Sequence, residues 1–250
     1  MKYFRTLIDL LRIIKCLGIF QALKFFYYKS QNEHIFSLEG KGYNEPFFIR
    51  GGTTDSWIFE TNIVQEEYSI FKTDKDIKRI VDAGANIGMT SRYFHRRFPE
   101  AKIVALEPSK ENFNLLEQNT QGLDSILSLN AGIWSKSTKL KIVDESEWNY
   151  AFQVVEDEQN GKIDALGIVD VMDKMGWDFI DLLKLDVEGS EVEVLTNNFS
   201  DWSYKIGALL IEIHPQLNSH CAGILFNAFA NRDFDFKYRG ENLLLIFNDV

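Results

Sequence analysis

The residues of this chain whose types and spacing best suit chemistry are three carboxylates and a histidine. Asp186, Glu188 and Glu191 fall within six positions of the run Lys184-Leu185-Asp186-Val187-Glu188-Gly189-Ser190-Glu191, and His214 stands in Glu212-Ile213-His214-Pro215. Carboxylates grouped in this way can orient a substrate, act as a general base or bind a divalent ion. A plainer role for Glu188 and Glu191 is to favour the positive N-terminus of a following helix. An imidazole serves as base or metal ligand, although a lone histidine is more often a hydrogen-bonded structural residue. Asp186, Glu188 and His214 are the candidate catalytic residues, and the same three are the ligands if a metal is held.

A second constellation lies upstream. The apolar run Ile77–Val81 leads into Asp82-Ala83-Gly84-Ala85-Asn86-Ile87-Gly88, where glycines let backbone N–H groups approach a ligand closely. This is not the dinucleotide pattern G-x-G-x-x-G, because Asn86 occupies the second glycine position and the last spacing is one residue short. Glu107 follows the next apolar run, 25 residues after Asp82, where a carboxylate can accept both hydroxyls of a ribose. Asn130-Ala131 follows the third run, where an amide and a small residue suit an adenine edge.

The elements that must position these residues follow from periodicity. Apolar positions at three- and four-residue steps (Phe4, Leu7, Ile8, Leu11, Ile14, Leu17) predict a helix over the first 30 residues. Short strands are predicted at His34–Leu38, Pro46–Arg50 and Ser56–Phe59, then a short helix over 61–72. From Asp76 the rhythm is strand, helix, strand, with helices at Met89–Phe98, Glu111–Gln118 (N-capped by Ser109), Val169–Gly176, Glu191–Asn197 and 217–229. Strands are predicted at Ile77–Val81, Lys102–Leu106, Ile126–Leu129, Leu182–Leu185 and Ala208–Ile213, with weaker ones at Lys139–Val143 and Phe152–Val155. A terminal antiparallel hairpin begins at Phe234 and runs out through Leu243–Phe247. Nearly uninterrupted apolar strands indicate a sheet covered on both faces, a doubly wound α/β core whose ligands bind beyond the strands' carboxyl ends. The organisation is a basic amphipathic segment (1–30), a small β/helix segment (31–75) and a Rossmann-like domain (76–250).

Composition narrows the class. Of 250 residues, 45% are apolar and only 20 are Gly or Pro, which excludes fibre and wholesale disorder. A net charge of −10 excludes wrapping of nucleic acid by bulk electrostatics. The charge is uneven, since residues 1–30 hold six basic residues against one acid, a net +5, leaving −15 on the other 220. The apolar stripe of that basic segment either packs on the body or a second subunit, or lies on an anionic membrane. Cys16 and Cys221 have no metal-site or C-x-x-C spacing and fit a reducing cytosol. No apolar run reaches the ~18 residues of a spanning helix, and Asp9, Arg12 and Lys15 interrupt any secretory signal. The expected location is cytoplasmic, peripheral to a membrane if the segment binds one.

Taken in order, Asp82–Gly88, Leu106-Glu107-Pro108, Asn130-Ala131-Gly132-Ile133-Trp134, Leu183–Glu191 and Glu212–Pro215 resemble the FkbM-type family of S-adenosylmethionine-dependent methyltransferases. Ile49–Asp55 and Glu66-Glu67-Tyr68 look like that family's leading segment, and the likeness spans about residues 47–215. It implies a class I methyltransferase fold with a seven-stranded sheet, and O-methylation. The cofactor side it implies comprises Asp82, Gly84, Ala85, Asn86, Gly88, Glu107, Pro108, Asn130 and Ala131. The acceptor would be a small molecule or glycan, with a sugar hydroxyl of a glycan or glycolipid precursor as the expected site, and no nucleic acid. Two other functions suit the same residues, an NAD-dependent sugar-modifying enzyme and a non-catalytic protein that retains the pocket.

Overall fold

The computed structural model describes residues 7–32, 34–144 and 153–249. The N-terminal segment forms two helices where one is predicted, α1 (Leu7–Leu17) and α2 (Ile19–Tyr28), because Gly18 breaks the rod at φ +79°. Their buried residues are Ile13, Leu17, Ala22 and Phe25. The predicted stripe faces largely outward: Leu17 is buried and Ile14 half-buried, whereas Leu7, Ile8 and Leu11 are exposed. Phe4 and Phe152 lie outside the described residues.

Strands β1 (Ile35–Leu38) and β2 (Phe47–Arg50) pair antiparallel, with Leu38 opposite Phe47. Ser56–Phe59 is not a strand. It belongs to helix α3 (Asp55–Phe59), which runs on through a π-helical turn at Glu60–Val64. Trp57-Ile58-Phe59 carries strand-forming side chains, but Asp55 decides the local structure. Its carboxylate accepts from Arg50 N, Nε and Nη2 at 3.0, 2.8 and 2.9 Å, which fixes an acid at the positive end of a helix. The helix predicted over 61–72 is therefore this π turn followed by a 3-10 turn at Glu67–Ile70.

The alternating part then begins with β3 (Arg79–Ala83), α4 (Met89–Arg97), β4 (Lys102–Leu106), α5 (Lys110–Thr120) and β5 (Ile126–Leu129). Ser109 caps α5 as predicted, its hydroxyl accepting from Asn112 N at 3.4 Å. A second sheet intervenes, built from β6 (Gly132–Ile133), β7 (Thr138–Asp144), β8 (Gln153–Glu156) and β9 (Ile163–Leu166) in the order β6-β9-β7-β8. The chain closes with α6 (Ile168–Met175), β10 (Leu182–Leu185), α7 (Glu191–Thr196), β11 (Ala208–Glu212), α8 (Cys221–Ala228), β12 (Phe234–Arg239) and β13 (Asn242–Phe247).

Seven strands form the main sheet in the order β12-β13-β11-β10-β3-β4-β5, with only β13 antiparallel to its neighbours. Successive residues of each strand point to opposite faces, so the sheet feeds two cores. Ile80, Ile103, Leu182 and Leu210 share one core with Ile13, Leu17, Phe25, Leu38, Phe47 and Phe59, so the N-terminal helices and the small sheet cover that face. Val81, Val104, Leu183 and Leu209 share the other with Val171, Leu195 and Leu225 of α6, α7 and α8.

Candidate active site

Strand register sets the centre of the site. Asp82 of β3 lies beside Lys184 of β10, at 0% and 1% exposure. The Lys184 ammonium donates to the Gly84 carbonyl at 2.8 Å and ion-pairs with Asp82 Oδ1 at 3.4 Å and Asp186 Oδ2 at 3.3 Å. Burial opposes its charge, yet Asp186 and Asp82 outweigh burial and hold the pKa above the ordinary lysine value. Ser91 Oγ donates to the other Asp82 oxygen at 2.6 Å. Lys184 thus joins two strand ends through one buried charge. A lysine inside the otherwise apolar run Leu182–Leu185 is the sequence signal for it, and only the structure gives it a role.

The loop after β3 presses on the same strand end. Gly84 sits at φ +77°, and a Cβ on it would fall 1.7 Å from the Asp186 carbonyl oxygen. Asn86 is left-handed at φ +49°, and its N–H donates to Glu107 Oε2 at 2.9 Å while Ser109 N–H donates to Oε1 at 2.8 Å. Burial pushes the Glu107 pKa up to about 7, against the lowering pull of those two amides. Asn130 Nδ2 donates to the Glu107 and Pro108 carbonyls at 2.9 and 3.1 Å, so its side chain shapes the loop. Gly88 opens α4 against Leu116, and Ala131 is buried.

Carboxylates surround His214. Its Nδ1 is 2.6 Å from Glu191 Oε1, and its Nε2 is 3.5, 3.8 and 3.9 Å from Glu188, Glu212 and Asp186. Burial disfavours the imidazolium, but Glu191, Glu188 and Asp186 prevail and push its pKa up to about 9. Burial also pushes Glu188 up to about 7 and Glu212 up to about 8, with Asp186 adding repulsion in both cases. Protonated, His214 is a cation that binds the acids together. Glu188 holds φ +49°, a strained conformation for a side chain of its size.

A cleft of about 330 Å³ opens at this end of the sheet. One wall is Gly84, Ala85 and Asn86; a second is Trp57, Ile58, Asn62, Glu67 and Tyr68; the hairpin turn Gly240-Glu241-Asn242 forms a third, and Thr90, Lys184, Asp186 and Glu212 complete it. Arg239 straps hairpin to wall, donating from Nη1 to the Glu66 carbonyl at 2.9 Å and from Nη2 to the Gln65 carbonyl at 3.1 Å. Of the residues singled out in the sequence, the structure brings Gly84, Ala85, Asn86 and Asp186 to the cleft. Asp82, Gly88, Glu107, Pro108, Asn130, Ala131, Glu188 and His214 are not among the residues that line it. The walls from Trp57 and from the hairpin carry no such mark, although Glu67 and Tyr68 fall in the leading segment of the resemblance.

The cleft fits S-adenosylmethionine on two counts. Asn86 Oδ1 is buried without a hydrogen-bond partner among the described residues, leaving an acceptor for a ligand donor. Glu67, Asp186 and Glu241 give the lining an acidic cast that suits a cationic sulfonium and amine, and Glu212, pushed up to about 8, adds a hydrogen-bonding carboxyl.

The strand order with its antiparallel β13, and a cleft beyond the carboxyl ends of β3 and β10, define a class I methyltransferase fold. Residues 82–237 match the methyltransferase FkbM domain, and the chain belongs to that family. It is 31% identical to methyltransferase sdnD of Sordaria araneosa over 151 residues, covering 46% of this chain and 58% of that protein. It is 28% identical to methyltransferase 1 of Beauveria bassiana over 142 residues, covering 46% and 56%. The chain thus spans somewhat over half the length of these relatives. The crystal structure of methyltransferase FkbM from Methylobacillus flagellatus KT matches 72% of this chain and 46% of its own, with a TM-score of 0.50 at 19% identity. This membership replaces the NAD-dependent alternative. Among the described residues no helix is long and apolar enough to cross a membrane.

Proposed function

We propose that the chain is an S-adenosylmethionine-dependent O-methyltransferase acting on a sugar hydroxyl of a glycan or glycolipid precursor. The observation that carries this reading is the acidic cleft joining the Ala85-Asn86 loop to Asp186. The cofactor, when bound, supplies an electrophilic methyl group. The protein's part is alignment and proton removal. Asn86 Oδ1 accepts from a donor of the cofactor, and Glu107, oriented by two backbone amides, accepts from its ribose with the lone pairs that remain. Asp186 is tethered through Oδ2 to Lys184, and Oδ1, 3.9 Å from His214 Nε2, is the oxygen that would take the proton of an acceptor hydroxyl. Alignment in such displacements supplies up to ~7–11 kcal/mol, and a positioned base ~10²–10⁴ in rate. A polyhydroxylated acceptor suits a lining rich in carboxylate acceptors.

The test is turnover on candidate glycan acceptors read by mass spectrometry, with Asp186→Asn beside the wild type. A fall in kcat of ~10²–10⁴ at unchanged S-adenosylhomocysteine affinity supports the role of Asp186. Wild-type turnover in the variant overturns that role, and no methylated glycan overturns the acceptor class. One observation favours a second reading of the acids, in which they hold a divalent ion. Asp186, Glu188 and His214 bring ligand atoms within 4.8 Å of one another, and Glu191 orients the imidazole from behind. Loss of turnover on chelation, restored by Mg²⁺, selects it.

A further inference from the structure

The N-terminal helices carry an apolar face that the body does not use. On α2, Ile19, Phe20, Leu23 and Tyr27 are 63%, 87%, 62% and 64% exposed, and at about 3.6 residues per turn they share one side, turned away from buried Ala22 and Phe25. On α1, Leu7, Ile8 and Leu11 are exposed with Arg12 and Lys15 on the same side. Bulky apolar side chains gathered like this on a protein surface mark a contact with something else.

Charge says what that contact is. On the exposed face itself stand Lys15 and Arg12, the latter 3.7 Å from Asp9, while Lys24 and Lys29 turn to Ser37 and Glu60 of the body. Two copies meeting through this face would set like charges together. A layer of anionic phospholipid satisfies both features, since aliphatic and aromatic side chains enter the headgroup boundary while Arg12 and Lys15 meet phosphates. Eleven and ten residues make α1 and α2 too short to span, so the mode is seating on the surface. We propose that the exposed face of α1 and α2 docks the protein on an anionic phospholipid surface. α1 packs on the π turn that supplies Asn62 to the cleft, so the lipid-facing element directly supports a cleft wall.

The test is flotation of the full chain with vesicles of phosphatidylcholine, alone or mixed with phosphatidylserine. The protein is expected to float only with the anionic vesicles and to be released by salt, which screens surface charge over ~10 Å at 0.1 M. Phe20→Ser with Leu23→Ser should lower partitioning at least ~10-fold. Arg12→Ala with Lys15→Ala should lower it about 25-fold, fivefold per charge. All four positions are exposed, so unchanged thermal melting certifies the fold, and either pair alone decides the matter. Absence of flotation, flotation indifferent to phosphatidylserine and salt, or wild-type partitioning in either variant overturns the proposal. So does a vesicle-free dimer abolished by Phe20→Ser with Leu23→Ser, which would assign the face to a second copy.

Discussion

Replacing Lys184 by Met tests the centre of the site most directly. The side chain is 1% exposed, and its ammonium is shared among the Gly84 carbonyl at 2.8 Å and carboxylate oxygens of Asp186 and Asp82 at 3.3 and 3.4 Å. Met fills nearly the same volume but leaves Asp82, at 0% exposure, with Ser91 as its remaining side-chain hydrogen-bond donor. Breaking a buried pair from one side costs about 3–5 kcal/mol, because the other charge stays behind uncompensated. At this chain length that is a drop in Tm of roughly 6–20 °C. Urea denaturation at neutral pH, followed by tryptophan fluorescence, reads it. Adding Asp82→Asn removes the stranded charge, so the double variant should be more stable than the sum of the single losses by ~0.5–3 kcal/mol. A loss below ~1 kcal/mol for Lys184→Met, or strict additivity, would refute the buried ion pair as the joint between β3 and β10.

Three further outcomes are expected. Gly84→Ala should abolish S-adenosylhomocysteine binding in calorimetry, because its Cβ would meet the Asp186 carbonyl at 1.7 Å and must displace the loop; retained affinity contradicts the geometry. Phe25→Ala should destabilise the fold by about 3–5 kcal/mol in chemical denaturation, since Phe25 lies in the same core as Ile80 and Ile103; a loss under ~1 kcal/mol would make the N-terminal helices an appendage. Glu107 has a folded pKa near 7, above its ordinary 4.5, so its contribution to stability is fully present below pH 4.5 and is lost as pH rises through 7. Wild type should therefore lose about 2–4 kcal/mol through this group between those pH values, and Glu107→Gln should flatten that part of the profile; an identical slope in both sinks the assignment.

Much of the sheet was legible because its strands are brief apolar runs between polar loops. Leu182–Leu185 and Ile126–Leu129 occupy their predicted bounds, and the hairpin at the end falls where alternation places it. The order of strands is not written in any run, since it depends on how helices cover the two faces. Trp57-Ile58-Phe59 misled because side-chain propensity was outweighed by a clasped acid at Asp55. The second sheet was dim because β8 and β9 are four residues each and partly polar. In the site, Asp82, Asn86 and Asp186 could be found because strand ends in such sheets are known ground for ligands. Trp57 and Glu241 could not, because they reach the cleft from distant parts of the chain and their neighbours there are set by packing alone.

The position of β13 has a consequence for how the protein is made. Residues 242–247 come after every other strand in the chain, yet they lie inside the sheet, between β11 and β12. During synthesis the open edge of β11 waits for them across the 29 residues that separate Glu212 from Asn242. At ~5–20 residues per second the ribosome takes about 2–6 s over that stretch. Once β11 is outside the ribosome and until β13 docks, the backbone of Ala208–Glu212 offers an unpaired ladder to any passing strand, and β12 has nowhere to dock. Nascent chains of this protein therefore pass through a timed interval in which a chaperone or a neighbouring chain can reach the edge before β13 does.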